Sequence, residues 1–366
     1  MDYQYSSRIQ KIEAVLDSWL PESPGSGWAQ EVFPGLAKMP DAEMLSSLTL
    51  PARDLLSRGG KRWRPLLMTL ICETLGGADA ALPLTPLVEL CHNASLIHDD
   101  IEDNSDERRG KPAVHLLYGI DTAINSGCFL YFLPLSCISE WANAMAAQHG
   151  LSADALTGKA YALWADYMRR LHLGQAMDIA WHRDFSSAPD IEQYLYMCSL
   201  KTGCLARFSA ALGVCAASAA NKQTAAHEKT LAELCGRAAE NLGVGFQIID
   251  DVKNLAEGLP GKKRGDDIVE GKKSLPVILF LQRFPDQREF VSRCFTAARL
   301  GGPGVSEAAE LIQAIDAAGI LAEAHTQGQR LISQAQEAFN TELPQSSSPL
   351  NEESRKLLAG LAELIS

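Results

Sequence analysis

In the run Asp99-Asp100-Ile101-Glu102-Asp103 the first and last carboxylates lie four residues apart, which on a helix places them on one face, a single turn from each other. Such a pair can share hard, oxygen-seeking Mg²⁺ ions that keep most of their remaining positions for water and phosphate. A solvated acidic helix end would have the same composition. A second pair, Asp250-Asp251, follows the apolar run Val244–Ile249 and closes a helix on which Gln247, Asp250 and Asn254 share a face. Carboxylates beside apolar surroundings are costly unless paired or bound to metal, and that context favours a metal site here. Gln175 and Asp178 form a third polar face at i, i+3. His92, two turns before Asp99, falls on the Asp99 face, although an ordinary core histidine would fit the position as well.

Cations gather in short groups. Gly59-Gly60-Lys61-Arg62-Trp63-Arg64-Pro65 is a flexible loop leading into a helix, where backbone N–H groups already favour an anion and Lys61 and Arg64 add charge. Arg108-Arg109-Gly110 follows the first acidic run, Lys201-Thr202-Gly203 pairs an ammonium with a hydroxyl, and Lys262 and Lys272 flank the loop after the second acidic pair. Any one of these could be a solvated charged face. Their combination with two aspartate pairs in one chain is what bland readings leave unexplained, and polyanionic diphosphates with Mg²⁺ account for it economically.

The elements that must position these groups are helices. Apolar residues recur at spacings of three and four in segment after segment, and almost no stretch alternates as an exposed-face strand does, so the expected class is all-α. One helix is expected from Pro65 to Leu75, stopped at Gly76-Gly77, and another from about Pro86 into Asp103. A third carries Leu242, Phe246 and Ile249 and ends near Asn254. The chain reads as one domain over residues 1–366, with a loose N-terminal segment over about 1–30 and a linker plus short helix over 343–366.

Composition limits the partners. The 366 residues carry a formal net charge of −12, so the surface as a whole should repel nucleic acid and anionic membrane. The most apolar segment, Cys128 to about Ile138, is short of the ~18–20 residues of a membrane span, and a buried core helix is expected instead. The N-terminus carries no secretory signal pattern, and nine cysteines without a Cys-x2-Cys pair read as reduced, mostly buried thiols, so the expected location is cytoplasmic.

Taken in order, these motifs resemble those of the trans-isoprenyl (polyprenyl) diphosphate synthases: Gly59-Gly60-Lys61-Arg62-x-Arg64-Pro65, Asp99-Asp100-Ile-Glu-Asp103, Arg108-Arg109-Gly110, Gly174-Gln175-x-x-Asp178, Lys201-Thr202-Gly203, Gly245-Phe246-Gln247-Ile-Ile-Asp250-Asp251 and Gly261-Lys262 through Gly271-Lys272. They cover roughly residues 55 to 280. Asn254 stands where many members have a third aspartate, as it does in eukaryotic-type geranylgeranyl synthases, which the stretch from His92 to Ser126 also resembles.

The resemblance implies a single bundle of long helices around a central cavity, usually in a homodimer, with the two aspartate motifs facing each other. It implies that Lys61, Arg64, His92 and Arg109 bind isopentenyl diphosphate. Arg108, Lys201, Thr202, Gln247 and Lys262 would bind an allylic diphosphate with Lys272 nearby, and Asp99, Asp103 and Asp250 would hold Mg²⁺, three ions per loaded site. Bulky aromatics at the Ala94 and Ser95 positions stop the chain at fifteen carbons in the family. Here both are small, as is Cys91 on the same flank, so the tail should pass them, and Phe129, Tyr131 and Phe132 could form a floor beyond. The expected activity is a trans-prenyltransferase making geranylgeranyl diphosphate. The alternatives are a longer-chain synthase, a terpene cyclase, or a non-catalytic partner subunit.

Overall fold

Helices form where the three-and-four spacing places them. A computed structural model of the chain describes residues 3–185, 188–258, 263–344 and 348–365. In chain order its α-helices are α1 (Tyr3–Trp19), α2 (Ser26–Val32), α3 (Ala42–Ser57), α4 (Trp63–Thr74), α5 (Thr85–Glu102), α6 (Val114–Tyr118), α7 (Ile120–Phe132), α8 (Ser136–His149), α9 (Ala153–Arg183), α10 (Ile191–Cys198), α11 (Cys204–Ala220), α12 (Lys222–Ala226), α13 (Glu228–Ala256), α14 (Asp266–Glu270), α15 (Leu275–Arg283), α16 (Arg288–Gly301), α17 (Ser306–Ala317), α18 (Ile320–Thr341) and α19 (Pro349–Ile365). Among the described residues the β structure is one antiparallel ladder pairing Glu107–Arg108 with Lys111–Pro112. The fold is all-α.

The chain falls into two compact units, each assembled from separated stretches. The first comprises residues 1–165, 208–236 and 339–365. In it α5 packs on α7, where Gly127 lets α7 approach Ile97 and His98, and α4 packs on α19. Its interior holds Trp141, Phe208, Phe339, Leu66 and Leu67, all fully buried. The N-terminal segment, expected to be loose, is part of this interior: Ile12, Leu16 and Leu20 are fully buried, and Arg8 donates to Glu73 through both Nε and Nη2. Burying three such side chains contributes roughly 5 kcal/mol or more, and Trp28 Nε1 and Arg53 Nη1 donate to the Trp19 and Leu20 carbonyls at the end of the helix.

The second unit comprises residues 166–207 and 237–338. Its core gathers Tyr194, Val244, Ile248, Leu275, Phe280 and Phe295 from α10, α13, α15 and α16. Between α10 and α11 the helix widens to a π-turn over Ser199–Gly203, the sort of local bulge that often marks a functional site.

Two continuous helical stretches, Ile120–His149 and Ile191–Ala220, are long and apolar enough to cross a membrane by length and composition. Both exceed the short apolar run read from sequence, because helical structure continues through Pro134 in the first and through the π-turn in the second. Most of the second is buried inside the protein, as a core helix is, and half of the first.

Candidate active site

In the first unit the acidic run ends α5. Adjacent residues on a helix point about 100° apart, so Asp99 and Asp100 cannot face the same way. Asp99 and Asp103 are half-buried, whereas Asp100 is fully buried and accepts a hydrogen bond from Arg108 Nε at 2.8 Å. Burial opposes the charge on Arg108, but Asp100, Asp99 and Asp103 hold its guanidinium above the ordinary range.

Arg108 and Arg109 lead into the turn of the small ladder. Arg109 and Gly110 both take positive φ, 54° and 75°, the primed hairpin turn that matches strand twist. The turn separates two neighbouring arginines. Arg108 goes to Asp100, while Arg109 Nη1 reaches the Leu55 carbonyl at 3.2 Å and Asn93 Oδ1 at 3.3 Å. Burial pulls the Arg109 guanidinium down to about 10, with Arg62 and Arg108 adding repulsion that Glu89 partly offsets.

Arg64 stacks over the Trp63 ring at 4.5 Å and its Nη1 lies 3.2 Å from His92 Nε2. Burial and then Arg64, Arg109, Arg108 and Arg62 push the His92 imidazole well below its ordinary pKa, so it is neutral and its Nε2 can accept from Arg64. Arg64, His92 and Arg109 thus form a cationic group in an acidic protein. Arg62, inside the same motif, is structural: it is buried and donates to Glu13, Glu89 and the Leu56 carbonyl. Lys61 is exposed, and its ammonium donates to the Ile365 carbonyl at the end of α19.

In the second unit the same geometry recurs. Asp250 is exposed on α13, and its neighbour Asp251 is fully buried, accepting from Tyr194 Oη at 2.8 Å, Gln247 Nε2 at 2.8 Å and Lys272 Nζ at 3.0 Å. Gln247 in turn accepts from Thr202 Oγ1 at 2.8 Å. Burial disfavours the Lys272 charge, yet Asp251, Asp267 and Asp178 hold the ammonium well above its ordinary range. Lys201, on the π-turn, donates to Asp178 Oδ2 at 2.6 Å, and His182 lies 2.9 Å from Asp178 Oδ1. Burial opposes ionisation of Asp178, but Lys201 and His182 keep its carboxyl far below the usual range. Gly174 makes this possible, since a Cβ there would sit 2.5 Å from the Lys201 backbone nitrogen.

Of the face read for Gln247, Asp250 and Asn254, the asparagine turns to the interior. Gln247 pairs with Asp251, and Asn254 is fully buried, its Oδ1 accepting the Asp267 N–H at 3.2 Å to fasten the start of α14. An asparagine suits that place because it accepts a backbone donor without carrying charge into the core. Lys262 lies outside the described residues.

The residues that sequence reasoning passed over are Asp100, Asp178 and Asp251 as holders of Arg108, Lys201 and Lys272. For Asp100 and Asp251 the signal was present in the doubled aspartates, since only one of each pair can face outward. Asp99 and Asp103 in the first unit and Asp250 in the second are carboxylates with access to solvent, the donor type that Mg²⁺ takes, one or two at a time, with water and phosphate. Among the described residues no three His, Cys, Asp or Glu side chains converge as a self-sufficient cage, and such an ion does not need one.

Along α5, Cys91 and Ala94 are fully buried, and Ser95 Oγ donates to its own helix at the His92 carbonyl. The three aromatics expected as a floor go three ways. Phe129 stacks on Phe33, Phe132 is exposed with its ring 6.1 Å from that of Trp164, and Tyr131 is buried with its ring stacked on that of His98. A residue the sequence did not single out, Trp164, lies beside the Cys91 thiol, which burial pushes up to about 12.

The polyprenyl synthetase family matches residues 46–312, which include stretches of both units. The chain belongs to that family. It is 33% identical over 258 residues to the geranylfarnesyl diphosphate synthase of Aeropyrum pernix, covering 69% of this chain and 74% of that protein. To a geranylgeranyl pyrophosphate synthase of Rhodocybe pseudopiperita it is 36% identical over 239 residues, 62% of this chain and 61% of the relative's length. The geranylgeranyl pyrophosphate synthetase structure from Pyrococcus horikoshii superposes with a TM-score of 0.76 at 27% identity, covering 98% of this chain and 96% of that one. This polyprenyl synthase is therefore a transferase of the prenyltransferase type, with the isoprenoid synthase fold.

The neutral His92 carries a linkage consequence. In the unfolded chain the imidazole protonates as pH falls through about 6.5, while in the fold its pKa lies well below. The unfolded state then binds more protons, so acidification costs up to about 1.4 kcal/mol of stability per pH unit below that point. Denaturation at pH 7 and pH 5 should show a smaller loss for His92→Gln than for the wild type, and NMR should show the wild-type His92 ring unprotonated at pH 5.

Proposed function

We propose that this synthase condenses isopentenyl diphosphate with an allylic diphosphate to make geranylgeranyl diphosphate. The observation that carries this reading is the presence of two distinct cationic groups: Arg64, His92 and Arg109 in the first unit, and Lys201, Thr202 and Lys272 in the second. Two diphosphates are what a condensation requires. A terpene cyclase handles one, and a non-catalytic subunit would need neither; both aspartate motifs and both groups stand intact. The two units together serve as one synthase domain, as the span of the family match supports.

In this reading Arg64 and Arg109 bind the isopentenyl diphosphate, and neutral His92 keeps Arg64 oriented. Lys61 would exchange the Ile365 carbonyl for substrate phosphate. Lys201, Lys272 and Arg108 are the cations that the family resemblance assigns to the allylic diphosphate, together with Lys262, which lies outside the described residues. Each of the first three is already fixed by a buried carboxylate, so little reorganisation is needed when charge develops. The allylic C–O bond breaks with its electrons leaving on diphosphate, the isopentenyl double bond attacks the allylic carbon, and the proton then lost passes to the departing diphosphate. A unit charge pair at 4 Å is worth roughly 4 kcal/mol at an effective dielectric of 20, so several aimed cations supply a large part of the barrier reduction. Bound at Asp99, Asp103 and Asp250, Mg²⁺ would neutralise charge on the leaving diphosphate, with three ions per site in our reading.

Small, buried Cys91 and Ala94 favour a chain that continues past fifteen carbons, and Trp164 beside the Cys91 thiol favours a stop one unit later. We read the synthase as a homodimer as well. Ile120, Ile124 and Phe132 lie four and eight residues apart on one face of α7 and are 56%, 43% and 61% exposed, with Leu116 and Leu117 continuing the stripe on α6. A second copy is a suitable cover for such a face. Nine free thiols suit a reducing cytoplasm.

Purified protein incubated with Mg²⁺, labelled isopentenyl diphosphate and dimethylallyl, geranyl or farnesyl diphosphate should give a discrete twenty-carbon product. Consumption of the allylic substrate without isopentenyl incorporation would point to a cyclase instead. Asp99→Ala and Asp250→Ala should each lower turnover by about 10² to 10³-fold or more with an unchanged circular dichroism spectrum, and near-wild-type rates would refute the metal assignment. Trp164→Ala should lengthen the product to twenty-five carbons or beyond, whereas an unchanged length would remove Trp164 from the stop. Light scattering should give twice the chain mass for the wild type and a monomer for Ile124→Glu; a monomeric wild type would rule out the dimer.

A further inference from the structure

Consecutive lysines at 272 and 273 have opposite fates. Lys272 enters the polar network on Asp251, while Lys273 is 3% exposed, and its Nζ sits 4.5 Å from the Phe295 ring centroid and 5.2 Å from that of Phe185. The one hydrogen bond described for that ammonium goes to the Gly271 carbonyl at 3.0 Å. The two rings contact each other with centroids 5.5 Å apart, and Arg299 stacks on the far ring, its guanidinium carbon 4.3 Å from the Phe185 centroid. Arg299 Nη2 also donates to the His182 carbonyl at 3.0 Å and the Glu270 carbonyl at 2.6 Å. These are the C-terminal ends of α9 and α14, where a cation is favoured by the helix dipole.

We propose that Lys273, held in the Phe185–Phe295–Arg299 box, is a positioning residue that fixes the 270–273 turn so that Lys272 meets Asp251. The physical case begins with cost. An ammonium with one carbonyl and two ring faces is poorly solvated, and burial pushes it down to about 8, with Arg299 adding repulsion and Asp184 offsetting part. An apolar side chain would be cheaper at this place. What the ammonium supplies is direction: it ties the Gly271 carbonyl from two residues along, and a cation over ring faces adds about 1 to 2 kcal/mol when desolvated. Gly271 is itself confined, with φ of 78° and no room for a Cβ against Phe185 and the His182 carbonyl. Lys272 N–H also bonds the Asp267 carbonyl at 2.8 Å, so the turn is fixed from both sides and the Lys272 side chain leaves toward Asp251. Arg299 ties the same box to His182, whose side chain meets Asp178, the partner of Lys201. One aromatic box thus stands behind both lysine–aspartate pairs.

This inference rests on the proposed assignment of Lys272 to the allylic diphosphate. Lys273→Met keeps length and removes the charge and the donor. It should raise KM for the allylic substrate about tenfold, leave KM for isopentenyl diphosphate unchanged, and leave the melting temperature unchanged or higher. Lys273→Arg should recover part of the loss. In a Lys272→Met background the Lys273→Met change should add nothing, as expected of a residue that acts through Lys272. Calorimetry with inorganic diphosphate and Mg²⁺ should show the same roughly tenfold weakening without turnover. Diphosphate binding equal in Lys273→Met and wild type, or additive effects of the two substitutions, overturns the proposal. A wild type that binds diphosphate but condenses nothing would refute the proposed reaction alone, and one that binds no diphosphate would refute both.

Discussion

Two aspartates next to each other on a helix cannot point the same way, and much of this site follows from that constraint. The 100° step between neighbours leaves Asp99 and Asp250 with access to solvent and turns Asp100 and Asp251 into the interior, both fully buried. A buried carboxylate needs a cation, and the interior aspartates take Arg108 and Lys272. Asp178 does the same for Lys201 from another helix. A doubled aspartate therefore leaves one carboxylate with access to solvent and uses the other to fix a cation in the interior.

Charge placement makes this possible in a chain whose net charge is −12. The 33 basic residues are fewer than the 45 acidic ones, yet Arg62, Arg64, Arg108 and Arg109 gather around His92 and, added to its burial, keep the imidazole neutral. Such crowding is costly, and the fold offsets it by giving Arg62 two glutamates and Arg108 an aspartate, and by sending Arg109 to a carbonyl and an amide. Positive φ at Arg62 and Arg109 adds local strain of about 1 to 2 kcal/mol each, which falls among the same residues.

Close approach matters as much as charge. Gly174 brings α9 against the π-turn that carries Lys201, and Gly243 on α13 lets the turn's Thr202 and Gly203 come near. With a side chain at either position the helices would separate, and the hydrogen bond from Thr202 to Gln247 would lengthen beyond use.

From the sequence alone one could read the helical class, the two acidic motifs, the cationic groups and the family they resemble, because helical period and the chemistry of carboxylate, guanidinium and ammonium are local properties of the residues. Helix bounds at α4, α5 and the end of α13 followed from proline, glycine and apolar spacing for the same reason. Partner choice was decided by tertiary structure. Spacing placed Asn254 with Gln247 and Asp250, but the fold gave it to the Asp267 backbone; composition made Phe129, Tyr131 and Phe132 one cluster, and packing sent them to Phe33, His98 and Trp164. The motif singled out Lys272, but nothing in the sequence showed where Lys273 would go, or that residues before Trp19 would complete a core. Which neighbour a side chain meets depends on segments far away in the chain, and the desolvation cost that determines its charge exists only once those segments have closed around it.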